Sequence, residues 1–245
     1  STLELEGVSQ AYEGVSVLSG VTVSLKGYAR IGVVGTSGSG KSTLLRLLAG
    51  LEDPAAGAFV LDGRDTLTTL RYESWEEQVA YIPQDPTIFH ASLRENLTFY
   101  NPQASDEHLH AVIEKLGLSE LLVQLPQGLD TLIGEGARGL SGGQAQRIAL
   151  ARVVLDERKR IILFDEPTAH LDIETEMELK QAMVEVMQER LVVFATHRLH
   201  WLDTLDYLLV LEEGKLVEQG TTTQLLESTT HFVTLVRALR GGEAA

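Results

Sequence analysis

The chain has 245 residues, of which 44% are hydrophobic, a formal net charge of −15 at pH 7 and no cysteine. Its length is sufficient for one domain with a sizeable core, and the lack of cysteine excludes disulfide bonds and thiolate metal sites. The negative charge argues against nucleic-acid binding and adhesion to anionic lipid, and no run approaches the roughly 20 apolar residues of a membrane-spanning helix. We therefore expect neither a nucleic-acid partner nor direct insertion into lipid.

The first predicted elements are strands. Residues 2–30 and 57–70 alternate between apolar and polar side chains, which predicts an antiparallel β lobe with a turn at Asp62-Gly63. Tyr12 lies just before the apolar stretch Val15–Leu18. Its ring could stack on a nucleotide base, and the alternative is an ordinary half-buried strand tyrosine.

Residues 35–42 read Gly-Thr-Ser-Gly-Ser-Gly-Lys-Ser and match the phosphate-loop pattern G-x-x-x-x-G-K-S. A buried-strand pattern precedes them and an apolar helical pattern follows until Gly50, which is the context that the motif requires. The glycines permit a turn whose N–H groups converge on one anion, Lys41 adds a positive charge for the β- and γ-phosphates, and Ser42 offers a hydroxyl to Mg²⁺. A flexible Gly/Ser linker is the alternative, but a linker would not lie between a buried strand and an apolar helix.

The next predicted strand, within residues 78–84, ends at Gln84, which could reach a metal ion or a water molecule. Residues 86–158 are predicted to be mostly helical. One of these helices has an apolar stripe between a cap at Ser105 or Asp106 and a stop at Gly117.

A second glycine-rich turn occurs at residues 140–144, which read Leu-Ser-Gly-Gly-Gln and lead into a helix. A helix N-terminus of this kind binds anions. Two phosphate-binding segments in one chain indicate nucleotide chemistry and suggest a site that is shared between two subunits.

Two further apolar strands end in polar residues. Asp165 and Glu166 follow the run that begins at Arg160, and His197 follows the run that begins at Arg190. Because ligands of open α/β sheets bind at the carboxyl ends of strands, Asp165 is a candidate Mg²⁺ ligand and Glu166 a candidate base for an attacking water. His197 is a candidate γ-phosphate contact.

The predicted elements form a single α/β domain over residues 1–245, which resembles the RecA-like fold of P-loop NTPases. Its parallel-sheet core comprises residues 31–50, 78–84 and 160–222, and includes a helix over 174–189 and a hairpin around Glu213-Gly214. Residues 223–240 are predicted as C-terminal helices, and residues 241–245 as a frayed end.

The assembled motifs, from Tyr12 to His197, resemble the ATP-binding cassette (ABC) ATPase domain over nearly the whole chain, about residues 3–240. The resemblance implies ATP and Mg²⁺ as cofactors, with Ser42, Gln84 and Asp165 at the metal, and Glu166, His197 and Gln84 in catalysis. The implied nucleotide-binding residues are Tyr12, Gly35, Thr36, Ser37, Gly38, Ser39, Gly40, Lys41, Ser42, Thr43, Ser141, Gly142, Gly143 and Gln144.

The family also implies a head-to-tail dimer, homo- or heteromeric, in which each ATP lies between the Walker A loop (residues 35–43) of one subunit and the signature (Leu140–Gln144) of the other. It further implies a transmembrane domain, on the same chain or a partner, and a location at the cytoplasmic face of the plasma (inner) membrane. The D-loop (Ala169–Asp172) departs from the family pattern at His170, which could alter contacts across the dimer.

Residues 87–97 and 131–144, with an acidic position at Glu135, resemble exporter-type domains. Residues 130–152 and 196–220 further resemble the CydC/CydD thiol and glutathione exporters. An importer ATPase subunit and a soluble ABC-type nucleotide switch are the alternatives. The chain begins with Ser1, so either an initiator methionine was removed or the domain was cut from a longer chain.

Overall fold

A computed structural model describes residues 2–26, 29–134, 139–227 and 231–243. Glu135, the predicted acidic position, lies outside these residues. The elements in chain order are β1 (Thr2–Tyr12), β2 (Val15–Lys26), β3 (Arg30–Val34), α1 (Lys41–Leu48), β4 (Ala56–Leu61), β5 (Asp65–Leu67), α2 (Glu73–Glu76), β6 (Val79–Ile82), β7 (Ala91–Ser92), α3 (Leu93–Leu97), α4 (Asp106–Lys115), α5 (Ser119–Gln124), β8 (Leu132–Ile133), α6 (Gly142–Val154), β9 (Ile161–Asp165), α7 (Ile173–Met187), β10 (Leu191–Thr196), β11 (Tyr207–Glu212), β12 (Lys215–Gly220), α8 (Thr222–Leu226) and α9 (His231–Glu243). Short 3₁₀ helices occur at Gly128–Asp130 and Leu199–Thr204.

The chain divides into two compact units. The first comprises residues 1–81, 160–166 and 189–245, and the second comprises residues 82–159 and 167–188.

The first unit contains an antiparallel sheet and most of a six-stranded sheet. The antiparallel sheet has the order β2-β1-β4-β5, and the larger sheet has the order β12-β11-β3-β10-β9-β6. Strands β9, β10, β3 and β11 pair in parallel, and their runs are almost wholly buried, as expected for parallel strands covered on both faces. The carboxyl ends of β3, β9 and β10 therefore lie side by side at one edge of the sheet.

The predicted hairpin around Glu213-Gly214 is confirmed: β12 runs antiparallel to β11, so this last strand is the exception within the predicted parallel core. The cause is the predicted turn itself, Glu213-Gly214, in which both residues have positive φ, +46° and +77°. A two-residue turn of this kind joins antiparallel neighbours, whereas a parallel pair needs a longer crossover. The last helix also differs, because α9 continues to Glu243, past the predicted end at residue 240.

The second unit is mainly helical, with the short antiparallel pair β7–β8. The predicted helix that begins at Ser105 or Asp106 is confirmed as α4. Ser105 is its cap, and the Ser105 hydroxyl accepts a hydrogen bond from the His108 N–H. Helix α6 packs against α7. Arg152 of α6 is buried and donates to the Asn96 carbonyl at 2.7 Å and to the Thr87 carbonyl at 2.9 Å. These bonds attach the loop after β6 to the helix that follows the glycine-rich turn.

Candidate nucleotide-binding site

The phosphate loop connects β3 to α1 in the first unit. Gly38 and Gly40 have φ of +78° and +102°, and the Ser39 N–H donates to the Thr36 carbonyl at 3.2 Å. A Cβ atom at Gly40 would lie 2.8 Å from the carbonyl oxygen of Val17, so only glycine fits this position. The turn delivers the chain into α1, whose first N–H groups have no partner within the helix and are available to an anion.

A contact that the sequence did not predict supports this loop from the β11–β12 hairpin. The Gly214 N–H donates to the Ser39 carbonyl at 3.1 Å, and the Gly214 carbonyl accepts from the Ser19 N–H at 2.8 Å. The hairpin turn thereby connects the phosphate loop to strand β2.

Lys41 is the buried cation of the loop, with 4% of its side chain exposed. Its ammonium donates to the carbonyls of Gly35 and Thr36, each at 3.0 Å. It also lies 3.1 Å from the Oε1 atom of Glu166. The positive charge is thus held at the mouth of the loop.

Asp165, at the end of β9, is buried and accepts a hydrogen bond on each carboxylate oxygen. The Ser42 hydroxyl donates to Oδ1 at 2.9 Å, and the Tyr81 hydroxyl donates to Oδ2 at 2.7 Å. Burial, and then the bond to Asp165, raise the pKa of Tyr81 well above its usual value, so the phenol keeps its proton. In the sequence, Tyr81 is distinguished only as a member of the strand before Gln84.

Glu166 and His197 meet at the ends of the neighbouring strands β9 and β10. Glu166 has φ +50°, a region that is uncommon for a residue with a side chain. Its N–H donates to the Ala195 carbonyl at 3.1 Å. Its Oε2 atom lies 2.9 Å from Nδ1 of His197, while Oε1 faces Lys41. The carboxylate is therefore fixed between the lysine of the phosphate loop and the histidine.

These residues fit a magnesium nucleotide. The helix N-terminus and Lys41 suit phosphate, and the hydroxyl of Ser42 and the carboxylate of Asp165 are the hard oxygen ligands that Mg²⁺ prefers. Ser39 Oγ is buried and has no hydrogen-bond partner within the described residues, which leaves a polar atom available in the loop. Within the same residues, no group of three or more His, Cys, Asp or Glu side chains could hold a metal alone. Mg²⁺ commonly completes its shell with water and phosphate oxygens instead.

Tyr12, the predicted base-stacking residue, ends β1 and is 37% exposed. Its hydroxyl donates to the Glu52 carboxylate and accepts from the Arg46 guanidinium at 2.9 Å. Arg46 belongs to α1, so the ring is attached to the helix that begins at the phosphate loop. No motif in the sequence points to Glu52 or Arg46, and stacking of Tyr12 on adenine remains a prediction.

The glycine-rich turn at Leu140–Gln144 lies in the second unit and starts α6. Ser141 caps the helix: its Oγ accepts from the Gln144 N–H at 3.2 Å, and its own N–H donates to Gln144 Oε1 at 3.0 Å. Ser141 and Gly142 are exposed. A Cβ atom at Gly143 would lie 2.7 Å from Cγ2 of Thr175, so glycine is also required for packing against α7.

The predicted Gln84 and His170 contact each other in the second unit. Nε2 of the Gln84 amide lies 2.7 Å from Nε2 of His170, and His170 Nδ1 lies 3.0 Å from the Asp85 carboxylate. Because an amide nitrogen can only donate, His170 accepts from Gln84 and donates to Asp85. Buried Gln146 of α6 donates to the Gln84 carbonyl at 2.8 Å. The metal role of Gln84 and the effect of His170 across a dimer remain predictions.

Asp172 caps α7 and accepts from the Thr175 N–H at 2.9 Å. Hydrogen bonds from the Thr175 backbone and side chain lower the pKa of Asp172. The residue therefore supports the helix that packs against the glycine-rich turn.

Comparison with known proteins identifies relatives of the whole chain. The family model described as ABC transporter matches residues 18–169. The glutathione/L-cysteine transport system ATP-binding/permease protein CydC of Bacillus subtilis is 46% identical over 99% of this chain and 44% of its own length. The human mitochondrial iron-sulfur clusters transporter ABCB7 is 38% identical over 92% of this chain and 30% of its own length.

Among solved structures, a bacterial Atm1-family ABC exporter with ATP bound superposes with a TM-score of 0.86 and 31% identity. The match covers 97% of this chain and 41% of that one. The chain thus spans less than half the length of these relatives, and within the described residues no helix is long and apolar enough to cross a membrane. The predicted P-loop fold is confirmed, and the chain belongs to the ABC transporter family and has the fold of that family's ATPase domain.

Proposed function

We propose that this chain binds and hydrolyses ATP, and that it powers export of a substrate across a membrane as the motor domain of an ABC exporter. The observation that carries the proposal is the position of Glu166, whose two carboxylate oxygens face the ammonium of Lys41 and the ring of His197. A carboxylate held beside a phosphate-binding lysine is suited to accept a proton from a water molecule that attacks the γ-phosphate.

The contacts suggest how ATP prepares this base. The γ-phosphate competes with Glu166 for the ammonium of Lys41, so that Oε1 becomes available to the attacking water. The water oxygen bonds to the γ-phosphorus, its proton passes to Glu166, and the bond to the oxygen bridging to ADP breaks. His197 holds Oε2 and thereby orients the carboxylate. Mg²⁺, when bound by Ser42 and Asp165, offsets charge on the β- and γ-phosphates.

The active form is proposed to be a head-to-tail dimer with a second ABC ATPase domain, either identical or different. Ser141 and the N–H groups of Gly142 and Gly143 would face the γ-phosphate bound by the partner subunit. Exposure of Ser141 and Gly142 at the start of α6 supports this role, because the N-terminus of a long helix attracts anions.

A transmembrane domain, on the same chain or a partner, would use dimer closure to move substrate outward, with the ATPase domain at the cytoplasmic face of the plasma (inner) membrane. The similarity to a protein named for glutathione and L-cysteine transport supports a substrate of this thiol class.

Transport can be tested in inside-out vesicles from cells that produce the transporter containing this chain. We expect ATP-dependent accumulation of labelled glutathione or cysteine, which Glu166→Gln should abolish. Accumulation that is absent with ATP, or unchanged by Glu166→Gln, would contradict the proposal.

A further inference from the structure

The carboxylate of Asp165 is held from two sides by elements that are distant in sequence. Ser42, in the first turn of α1, donates to Oδ1, and Tyr81, on β6, donates to Oδ2. Only 7% of Asp165 is exposed. Each carboxylate oxygen of Asp165 therefore accepts a hydrogen bond from a hydroxyl group. Because Asp165 is buried, water cannot easily take the place of either hydroxyl.

The two bonds have different consequences for metal binding. Ser42 belongs to the phosphate loop and is itself a candidate Mg²⁺ ligand, so its bond to Oδ1 would be exchanged when a metal binds. Tyr81 belongs to a strand, and its ring is half-buried. Its bond to Oδ2 can persist and prevents rotation of the carboxylate about its Cβ–Cγ bond. Hydrogen bonds of this kind orient metal ligands and raise affinity.

We propose that Tyr81 is a positioning residue for Asp165: it fixes Oδ2, so that Oδ1 stays directed at Ser42, the residue with which Asp165 would hold the Mg²⁺ of the nucleotide. This inference rests on the proposed ATPase function. It assigns a role in metal affinity to a hydroxyl that acts through its hydrogen bond to Asp165.

The test is Tyr81→Phe, which removes the hydroxyl and keeps the ring. Both the parent and the variant carry Glu166→Gln, so that bound ATP is not consumed, and Mn²⁺ binding to the ATP-loaded 245-residue chain is followed by electron paramagnetic resonance. We expect Tyr81→Phe to weaken Mn²⁺ binding by about 10- to 100-fold, the usual effect of removing such a partner. Saturating Mn²⁺ should restore full occupancy, and ATP binding without metal should be unchanged.

Tyr207→Phe is the matched control. Tyr207 is also half-buried in the first unit, but it starts β11, paired with Ile31 at the opposite end of the sheet from Asp165. Its Mn²⁺ affinity should equal that of the parent. Equal Mn²⁺ affinity of Tyr81→Phe and the parent would overturn the inference, as would a loss that saturating Mn²⁺ cannot restore. A different result would contradict the proposed function instead: the Glu166→Gln parent binds Mn²⁺ and ATP, but the chain with its native Glu166 shows no ATP hydrolysis.

Discussion

Replacing Ser141 with alanine separates the two roles that the structure and the proposed function give to this serine. Within the chain, its hydroxyl caps α6 by accepting from the Gln144 N–H. In the proposed dimer, the same hydroxyl donates to a phosphate on the partner subunit. The first role concerns stability and the second concerns hydrolysis, so the two can be measured independently.

The expected magnitudes differ. Loss of a serine cap costs about 1 kcal/mol of stability. Loss of a hydrogen bond to a charged group costs about 1.5–3 kcal/mol, which corresponds to roughly a 10- to 150-fold fall in the rate of hydrolysis. ATP binding by the dilute, monomeric chain should be unchanged, because the Walker A loop does not contain Ser141.

Ser92→Ala is the matched control, since Ser92 forms the same kind of capping box at α3 of the same unit. It should cost similar stability and leave hydrolysis at the parental rate. The assays are fluorescence titration of dilute chain with an ATP analogue and steady-state phosphate release at higher chain concentration. Mixing Ser141→Ala with Lys41→Ala chains should restore hydrolysis, because each mixed dimer contains one complete site. Weaker ATP binding by the dilute Ser141→Ala chain, or hydrolysis equal to that of Ser92→Ala, would refute the reasoning.

Three further predictions concern other parts of the chain. Lys41→Ala removes the ammonium from the phosphate loop and should weaken ATP binding by roughly 10- to 150-fold in the same titration. An ATP affinity equal to that of the unsubstituted chain would contradict the role of Lys41 in phosphate binding. Gly143→Ala places a Cβ atom 2.7 Å from Thr175 Cγ2 and should lower the free energy of unfolding by about 1–3 kcal/mol in urea; unchanged stability would show that the helices adjust without cost. Hydrogen bonds from Arg30 lower the pKa of Asp206 in the folded protein. The ionised carboxylate therefore stabilises the fold at pH values above its pKa in the unfolded chain, and this stabilisation is lost as the pH falls through the lowered pKa of the folded state. Asp206→Asn should therefore lower the free energy of unfolding by about 1 kcal/mol at pH 7, a modest value because both side chains are partly exposed. At acid pH the same substitution should cost little. An equal loss of stability at both pH values would contradict this origin.

The strands that carry the site could be predicted because each is a short apolar run that ends in a polar residue. This pattern alone indicates Asp165, Glu166 and His197, and the parallel pairing of β9 with β10 places the last two within hydrogen-bonding distance. The glycine-rich loop was predictable for a similar reason, since its pattern reflects local backbone geometry.

The supporting contacts could not be predicted, because they join segments that are distant in sequence. Tyr81 reaches Asp165, and Gly214 reaches Ser39, only through the order and register of the strands. No local pattern distinguishes Tyr81 from an ordinary strand tyrosine. The same holds for Glu52, whose bond to Tyr12 depends on how the chain turns after α1.

The most direct test of the account is the rate of ATP hydrolysis by Glu166→Gln, compared with Glu213→Gln. Glu213 is a matched control because it is another glutamate of the first unit with positive φ, and it lies exposed in the β11–β12 turn. We predict that Glu166→Gln binds ATP as the parent does but loses roughly 10²- to 10⁴-fold in turnover, the usual contribution of a positioned base, while Glu213→Gln retains the parental rate. Turnover by Glu166→Gln close to the parental rate would contradict the central claim that this carboxylate activates the attacking water.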